Sequence, residues 1–290
     1  FLLLVAVATT ADEDRFKDVE ITNTPVAEGI YMLTGQGGNI GVSVGADGVF
    51  LIDDQFAPLT EKITAVINTL SDQPMRFLLN THWHPDHTGG NVNMGKAGSV
   101  IVAHDNVRKR LAVDNFIEMF GMQAPAMESA GLPVITFDNA MTFHLNGNEI
   151  HISHIKNAHT DGDSIVHFRD ANVIHTGDVY FAGMYPFIDT HSGGSTEGTI
   201  NALDRILALS DKKTVIIPGH GPVSDKSKLM SYTDMLRTVS GRIGKMIAEQ
   251  ASMEQVLAAE PTKDFDETYG NGPIKNTAFV KMLYAEMATD

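Results

Sequence analysis

The sequence predicts an α/β fold in which two β-sheets pack together with helices outside, and three observations carry that expectation. Short β-rich runs give way to helical periodicity, and this β-then-α scheme occurs twice along the chain. No Pro- or Ser-rich linker, low-complexity tract or short-period repeat divides the two halves, so residues 12–290 read as one domain. A chain of 290 residues with 43% apolar content can also bury a substantial core.

In the first half, residues 30–33, 40–44 and 49–54 are β-rich runs separated by Gly35-Gln36-Gly37-Gly38 and Gly45-Ala46-Asp47-Gly48, as in an antiparallel meander. Residues 59–70 place Ile63, Val66, Ile67 and Leu70 at helical spacing, and 76–80 suit a buried strand. Residues 100–103 and 134–136 read as strands around a helix over about 106–120, with a loop over 119–133. Phe116, Met119, Phe120 and Met122 suit either a flexible lid or core packing. In the second half, residues 141–145, 149–155, 164–168 and 171–175 are β-like, with Asn146-Gly147 as a hairpin turn. A helix over 196–209, a strand over 215–217, a long helix over 224–249 and a final helix over 276–287 complete the scheme.

The formal charge of -15, from 36 acidic against 21 basic side chains, repels a phosphate backbone and excludes nucleic acid as a partner. With no cysteine, any metal must be held by imidazole and carboxylate. Residues 1–8, FLLLVAVA, read as the end of a secretory h-region with an A-x-A site. Residues 1–11 are therefore expected to be a signal-peptide remnant, and the protein periplasmic or secreted. The run is too short to span a bilayer, which takes about 20 residues.

The densest chemical signal is Thr81-His82-Trp83-His84-Pro85-Asp86-His87-Thr88-Gly89-Gly90. His82 and His84 lie two residues apart at a strand's end, where period-2 alternation sends both to one side. Pro85 breaks the strand, so Asp86 and His87 follow on a turn and face a second position nearby. So many imidazoles gathered at one point are costly to bury without a partner, which favours metal ligation over an incidental polar loop. His159, Asp178 and His220 each follow a β-like run, where convergence with the first block is plausible.

Taken together, His82-x-His84-x-Asp86-His87, the lone His159, Asp178 and His220 resemble the metallo-β-lactamase superfamily, in residue type and order, over roughly residues 27–222. The resemblance implies a four-layer αβ/βα sandwich of two mixed sheets with metals at one sheet edge. It implies two Zn2+ ions, with Fe or Mn also suited to the donor set. His82, His84 and His159 would hold the first, Asp86, His87 and His220 the second, and Asp178 would bridge them. A hydroxide shared by the metals would attack an amide or ester bond, with Asp86 as a catalytic residue orienting it.

A small-molecule substrate is expected, with Tyr180, Phe181, Tyr185 and His191 as candidate contacts following Asp178. A β-lactam ring is the first expectation, which would make the chain an antibiotic-resistance enzyme. Asp178 departs from the Cys or Ser that β-lactamases usually carry there, so a lactonase acting on acyl-homoserine lactones and a glyoxalase II-type thioesterase stand as alternatives. A metal-stabilised binding protein, its site coordinatively closed, is the non-enzymatic alternative. His104, His144, His151, His154, His167 and His175 read as surface or satisfied core residues.

Overall fold

A computed structural model describes residues 15–288; the segment read as a signal remnant lies outside them. The first half supplies strands β1 (Thr22–Ala27), β2 (Ile30–Thr34), β3 (Ile40–Ser43), β4 (Val49–Ile52), β5 (Met75–Leu79) and β6 (Val100–His104). A separate hairpin, β7 (Asn115–Ile117) and β8 (Met122–Ala124), precedes β9 (Ile135–Phe137). The first sheet runs in the order β1-β2-β3-β4-β5-β6-β9. It is antiparallel from β1 to β4 and parallel from β4 to β9. The second half supplies β10 (Ala140–Leu145), β11 (Asn148–His154), β12 (Ser164–Phe168), β13 (Val173–His175), β14 (Val215–Ile217) and β15 (Ser224–Asp225), paired in that order. Only β13 and β14 run parallel there.

Period-2 alternation explains how these strands make layers. Phe50, Ile52, Leu79 and Val102 of the first sheet meet Ile152, Val166 and Ile217 of the second in the central layer. Their neighbours Leu51, Leu78 and Ile101 point the other way, onto Ile63 and Ile67 of α1 (Thr60–Leu70). The first half continues through α2 (Pro85–Thr88), α3 (Asn91–Lys96) and α4 (Asp105–Leu111). Ile165, Ile174 and Ile216 face α5 (Thr196–Leu209) and α6 (Lys226–Ala248) through Ile206 and Val239. The chain then runs through α7 (Met253–Ala258) and α8 (Asp266–Tyr269) to α9 (Asn276–Met287), whose Phe279 and Leu283 join the same layer. The result is the expected sandwich of two mixed sheets between helices.

The expected turn at Asn146-Gly147 is present, with φ of 52° and 73°, values a glycine adopts without steric cost. Strand β1 was not foreseen, and the helix expected over 106–120 is shorter. It stops at Leu111, where the Asn115 side chain donates to the carbonyls of Arg110 and Val113 and turns the chain into the β7–β8 hairpin.

His104 caps α4. Its Nε2–H donates to the Asp138 carbonyl at 2.8 Å, leaving Nδ1 to accept from the Asn106 amide. Its ring stacks on His154 at 3.7 Å. Burial, with His154 beside it, lowers the pKa of His104, and burial lowers that of His154. A histidine depressed in the folded state contributes stability above the unfolded value of about 6.5, lost as pH falls through the folded value. Melting temperature should therefore fall on going from pH 8 to pH 5, and His104→Asn, which retains a capping side chain without the titration, should flatten that fall in circular-dichroism melts.

Candidate metal centre

Strands β5, β11, β13 and β14 all deliver their C-terminal ends to one edge of the sandwich, and the histidine and aspartate block collects there. After β5 ends at Leu79, residues 80–84 run as irregular chain, and His84 is the N-cap of α2 with Pro85 in its first turn. Asp86 and His87 thus sit on one helical turn. His159 follows β11, Asp178 lies in a 3₁₀ turn directly after β13, and His220 follows β14. Backbone approach is close enough at Gly219 that a Cβ would stand 2.0 Å from Asp178 Oδ1, so no side chain fits there.

Two ligand clusters result. The first comprises His82, His84, His159 and Asp178, the second Asp86, His87 and His220. His84 Nδ1 stands 3.1 Å from His82 Nε2 and 2.9 Å from His159 Nε2, and Asp178 Oδ2 lies 3.8 and 3.7 Å from the latter two. In the second, His87 and His220 approach each other at 3.3 Å through Nε2, and Asp86 Oδ2 is 3.6 and 3.3 Å from them. Asp178 stands between the clusters, its Oδ1 3.1 Å from His87 Nε2 and its Oδ2 3.3 Å from His220 Nε2.

The hydrogen bonds on the far side of each ring decide what these nitrogens can do. His84 donates through Nε2 to Asp189 Oδ2 at 3.0 Å, His159 through Nδ1 to the Phe187 carbonyl at 2.8 Å, and His87 through Nδ1 to Asp53 Oδ2 at 2.8 Å. Thr81 Oγ1 gives its proton to Asp53 Oδ2 and so accepts from His82 Nδ1. When neutral, each ring therefore turns a lone pair inward. The His82 and His159 lone pairs, 3.1 and 2.9 Å from His84 Nδ1, repel that of His84 unless a cation sits among them, and the set fits a dinuclear metal site.

Charge is distributed unequally between the clusters. Burial, with His87 nearby, pushes His82 well below the ordinary imidazole range, and burial with His84 takes His159 down to about 4. These two are neutral. Burial opposes charge on His87 and His220, but Asp178 and Asp86 outweigh it, holding His87 well above its usual range and His220 at about 9. Without metal, protons on the second cluster take the cation's place. Burial likewise works against the carboxylate of Asp86, yet His87 and His220 hold it at about 2.

A cavity of about 340 Å³ opens over the clusters, walled by Phe56, Ile117, Phe120, Met122, Phe181 and Phe187. Of the four expected substrate contacts, Phe181 is in this wall, stacked on His220 with ring centroids 5.2 Å apart. The other three are elsewhere. Tyr180 turns into the helical layer, its hydroxyl bonded to Ser224 at 2.8 Å, and Tyr185 is buried with its hydroxyl donating to Asp266 at 2.8 Å. His191 is exposed and paired with Glu118 at 2.7 Å. Phe120 and Met122 line the cavity, whereas Phe116 and Met119 do not; Phe116, Met119 and Phe120 are all exposed.

Sequence reasoning missed Asp53 and Asp189, the fully buried and nearly buried carboxylates that orient His87 and His84. For Asp53 a signal existed: an acidic residue closing the apolar run of β4. It also missed Asn39, whose side chain donates to the Pro218 and Gly221 carbonyls at 2.9 and 2.8 Å and pins the His220 loop to the first half.

Comparison with known proteins agrees with this geometry. A sequence model of the Metallo-beta-lactamase superfamily matches residues 33–220. The metallo-hydrolase YqgX of Bacillus subtilis (strain 168), titled "Probable metallo-hydrolase", is 29% identical over 191 residues, covering 62% of this chain and 87% of that protein. In fold, the chain is similar to a metallo-beta-lactamase from Pontibacter korlensis, with a TM-score of 0.62 and 22% identity over 75% of this chain and 99% of that one. It is also similar to the inverting sec-alkylsulfatase Pisa1 from Pseudomonas sp., with a TM-score of 0.70 and 13% identity over 91% of this chain and 50% of that one. With the matched region spanning well over half its length and containing every residue of both ligand clusters, the chain belongs to the metallo-β-lactamase superfamily.

Proposed function

We propose that the enzyme is a dinuclear zinc hydrolase that opens an amide or ester bond of a small molecule, with a β-lactam or a lactone ring as the reacting group. The observation that carries this reading is the set of ring nitrogens whose outward N–H groups are anchored and whose inward lone pairs converge beside a cavity. His82, His84 and His159 would hold one ion, Asp86, His87 and His220 the other, with Asp178 shared. When bound, two divalent cations supply Lewis acidity towards both a water nucleophile and the acyl oxygen.

The chain's own residues do the rest. Asp86 is ionised and partly open to the cavity, so it can accept a hydrogen bond from the attacking water and orient it. Aromatic side chains around the mouth exclude bulk water and hold the apolar body of the substrate. The described residues lining this cavity include no serine, lysine or tyrosine, so attack by water without a covalent acyl-enzyme is the expected course.

A second reading within this chemistry, lactone or ester rather than β-lactam, is favoured by charge. Among the described residues, Arg15 is the one lysine or arginine in the cavity wall, which offers little to a ring carboxylate and less to a multiply charged glutathione thioester. Fold kinship alone does not choose among substrates. Metal analysis of the purified protein, coupled to a panel of penicillin, carbapenem, acyl-homoserine lactone and lactoylglutathione, tests the assignment. Two bound metals with no turnover of any of them would refute it.

Three outcomes are expected. Chelation should abolish hydrolysis and Zn2+ should restore it, with Fe2+ and Mn2+ as the comparison ions. Asp178→Ala should lower the metal content from two ions towards one, read by elemental analysis, together with activity. Asp189→Asn, which keeps the shape but removes the acceptor charge behind His84, should weaken metal affinity about 10- to 100-fold, measured by competition with a chromogenic chelator.

A further inference from the structure

A second cavity, of about 500 Å³, adjoins the first and shares Arg15, Phe56 and Met122 with it. The rest of its wall is largely apolar, with Trp83, Leu111, Ala124 and Met127 around it. The β7–β8 hairpin roofs both spaces: Ile117 and Phe120 face the metal cavity, Ala124 faces the second, and Met122 stands at the partition. Phe120 packs edge-on against Phe187 at 5.1 Å, and Glu118 pairs with His191, so the roof is attached on its far side as well.

We propose that this second cavity is a subsite for an extended apolar acyl arm on the substrate, placed so that the scissile bond lies over the metals while the arm passes Met122 towards Trp83. The inference rests on the hydrolase reading and names its substrate class: an amphiphile whose reactive lactone, lactam or ester carries a linear or aryl-terminated arm. Three observations support the occupant. The two cavities lie side by side, with Arg15, Phe56 and Met122 lining both, so an arm that displaces the flexible Met122 side chain would pass from one to the other. The second is lined mainly by apolar side chains, with Thr88, Asn115 and Gln123 the uncharged polar exceptions, so a polar arm would lose more hydration there than the wall returns. Among the described residues, the one lysine or arginine lining either space is Arg15, whose guanidinium lies 4.8 Å from the Phe16 ring centroid and 5.2 Å from that of Phe56. That single arginine, in a chain of net charge -15, suits one uncharged carbonyl between head and arm and disfavours a polyanion.

Two measurements on the metal-loaded enzyme test this. The first is kcat/KM for acyl-homoserine lactones and 4-nitrophenyl esters with acyl chains of about four to twelve carbons. Each added methylene should raise it about three- to fourfold until the cavity is full. Pro125→Trp, an exposed wall position, should flatten that slope, and Met122→Ala, which thins the partition, should shift the optimum to longer chains. The second reads binding without turnover: Trp83 is the only tryptophan in the chain and lines the second cavity. Its emission should change saturably with decanoate at concentrations where butanoate has no effect. A flat chain-length profile, or a Trp83 signal that does not distinguish the two acids, overturns the subsite. No hydrolysis across the whole panel with the Trp83 response intact overturns the hydrolase reading instead, and leaves the cavity assigned as chain-binding.

Discussion

Convergent imidazole lone pairs are the constraint around which the rest of this molecule is arranged. Bringing the His82 and His159 nitrogens to 3.1 and 2.9 Å from His84 Nδ1 with the ring protons facing outward is unfavourable in the absence of a cation, and the fold holds them there through buried acceptors. Asp53 accepts from both Thr81 and His87, so one carboxylate fixes rings in both clusters. Its own backbone sits at φ 62°, a conformation uncommon outside glycine that persists where surrounding contacts over-determine it.

The unequal charging of the two clusters follows from where the carboxylates stand. The first has three histidines to one shared aspartate, and desolvation prevails, leaving His82 and His159 neutral. The second has Asp86 and Asp178 against two histidines, and attraction prevails. Desolvation and attraction thus divide one continuous site into two halves with different proton content, although the ligand types are nearly the same.

Local spacing made part of this legible in the sequence. His82, His84, Asp86 and His87 lie within six residues, and the strands holding Phe50 to Ile52 and Leu78 to Leu79 were readable as short apolar runs. His159, Asp178 and His220 were reached through resemblance, because each is an ordinary loop residue until the sheets bring it to the common edge. The roles expected for Tyr180 and Tyr185 failed because position after Asp178 does not set direction: the tyrosines turn to the helical layer and Phe181 to the cavity. Asp189 was invisible since its partner His84 is 105 residues away. The hairpin over 115–124 was masked by apolar residues that also suit a helix, and a side-chain bond from Asn115 decided between them.

The tether from Asn39 to the His220 loop carries a consequence for how the protein matures. It joins residues 179 and 182 positions apart, and the ligands are likewise contributed by both halves of the chain. Contacts of such sequence separation form late, after the loop entropy between them has been overcome. Neither half alone carries a complete pair of ligand clusters, so during synthesis the nascent chain has no finished centre to fill. A metal that needs both clusters complete would be taken up by the assembled sandwich rather than by the emerging polypeptide, and would then lock a completed fold instead of seeding it.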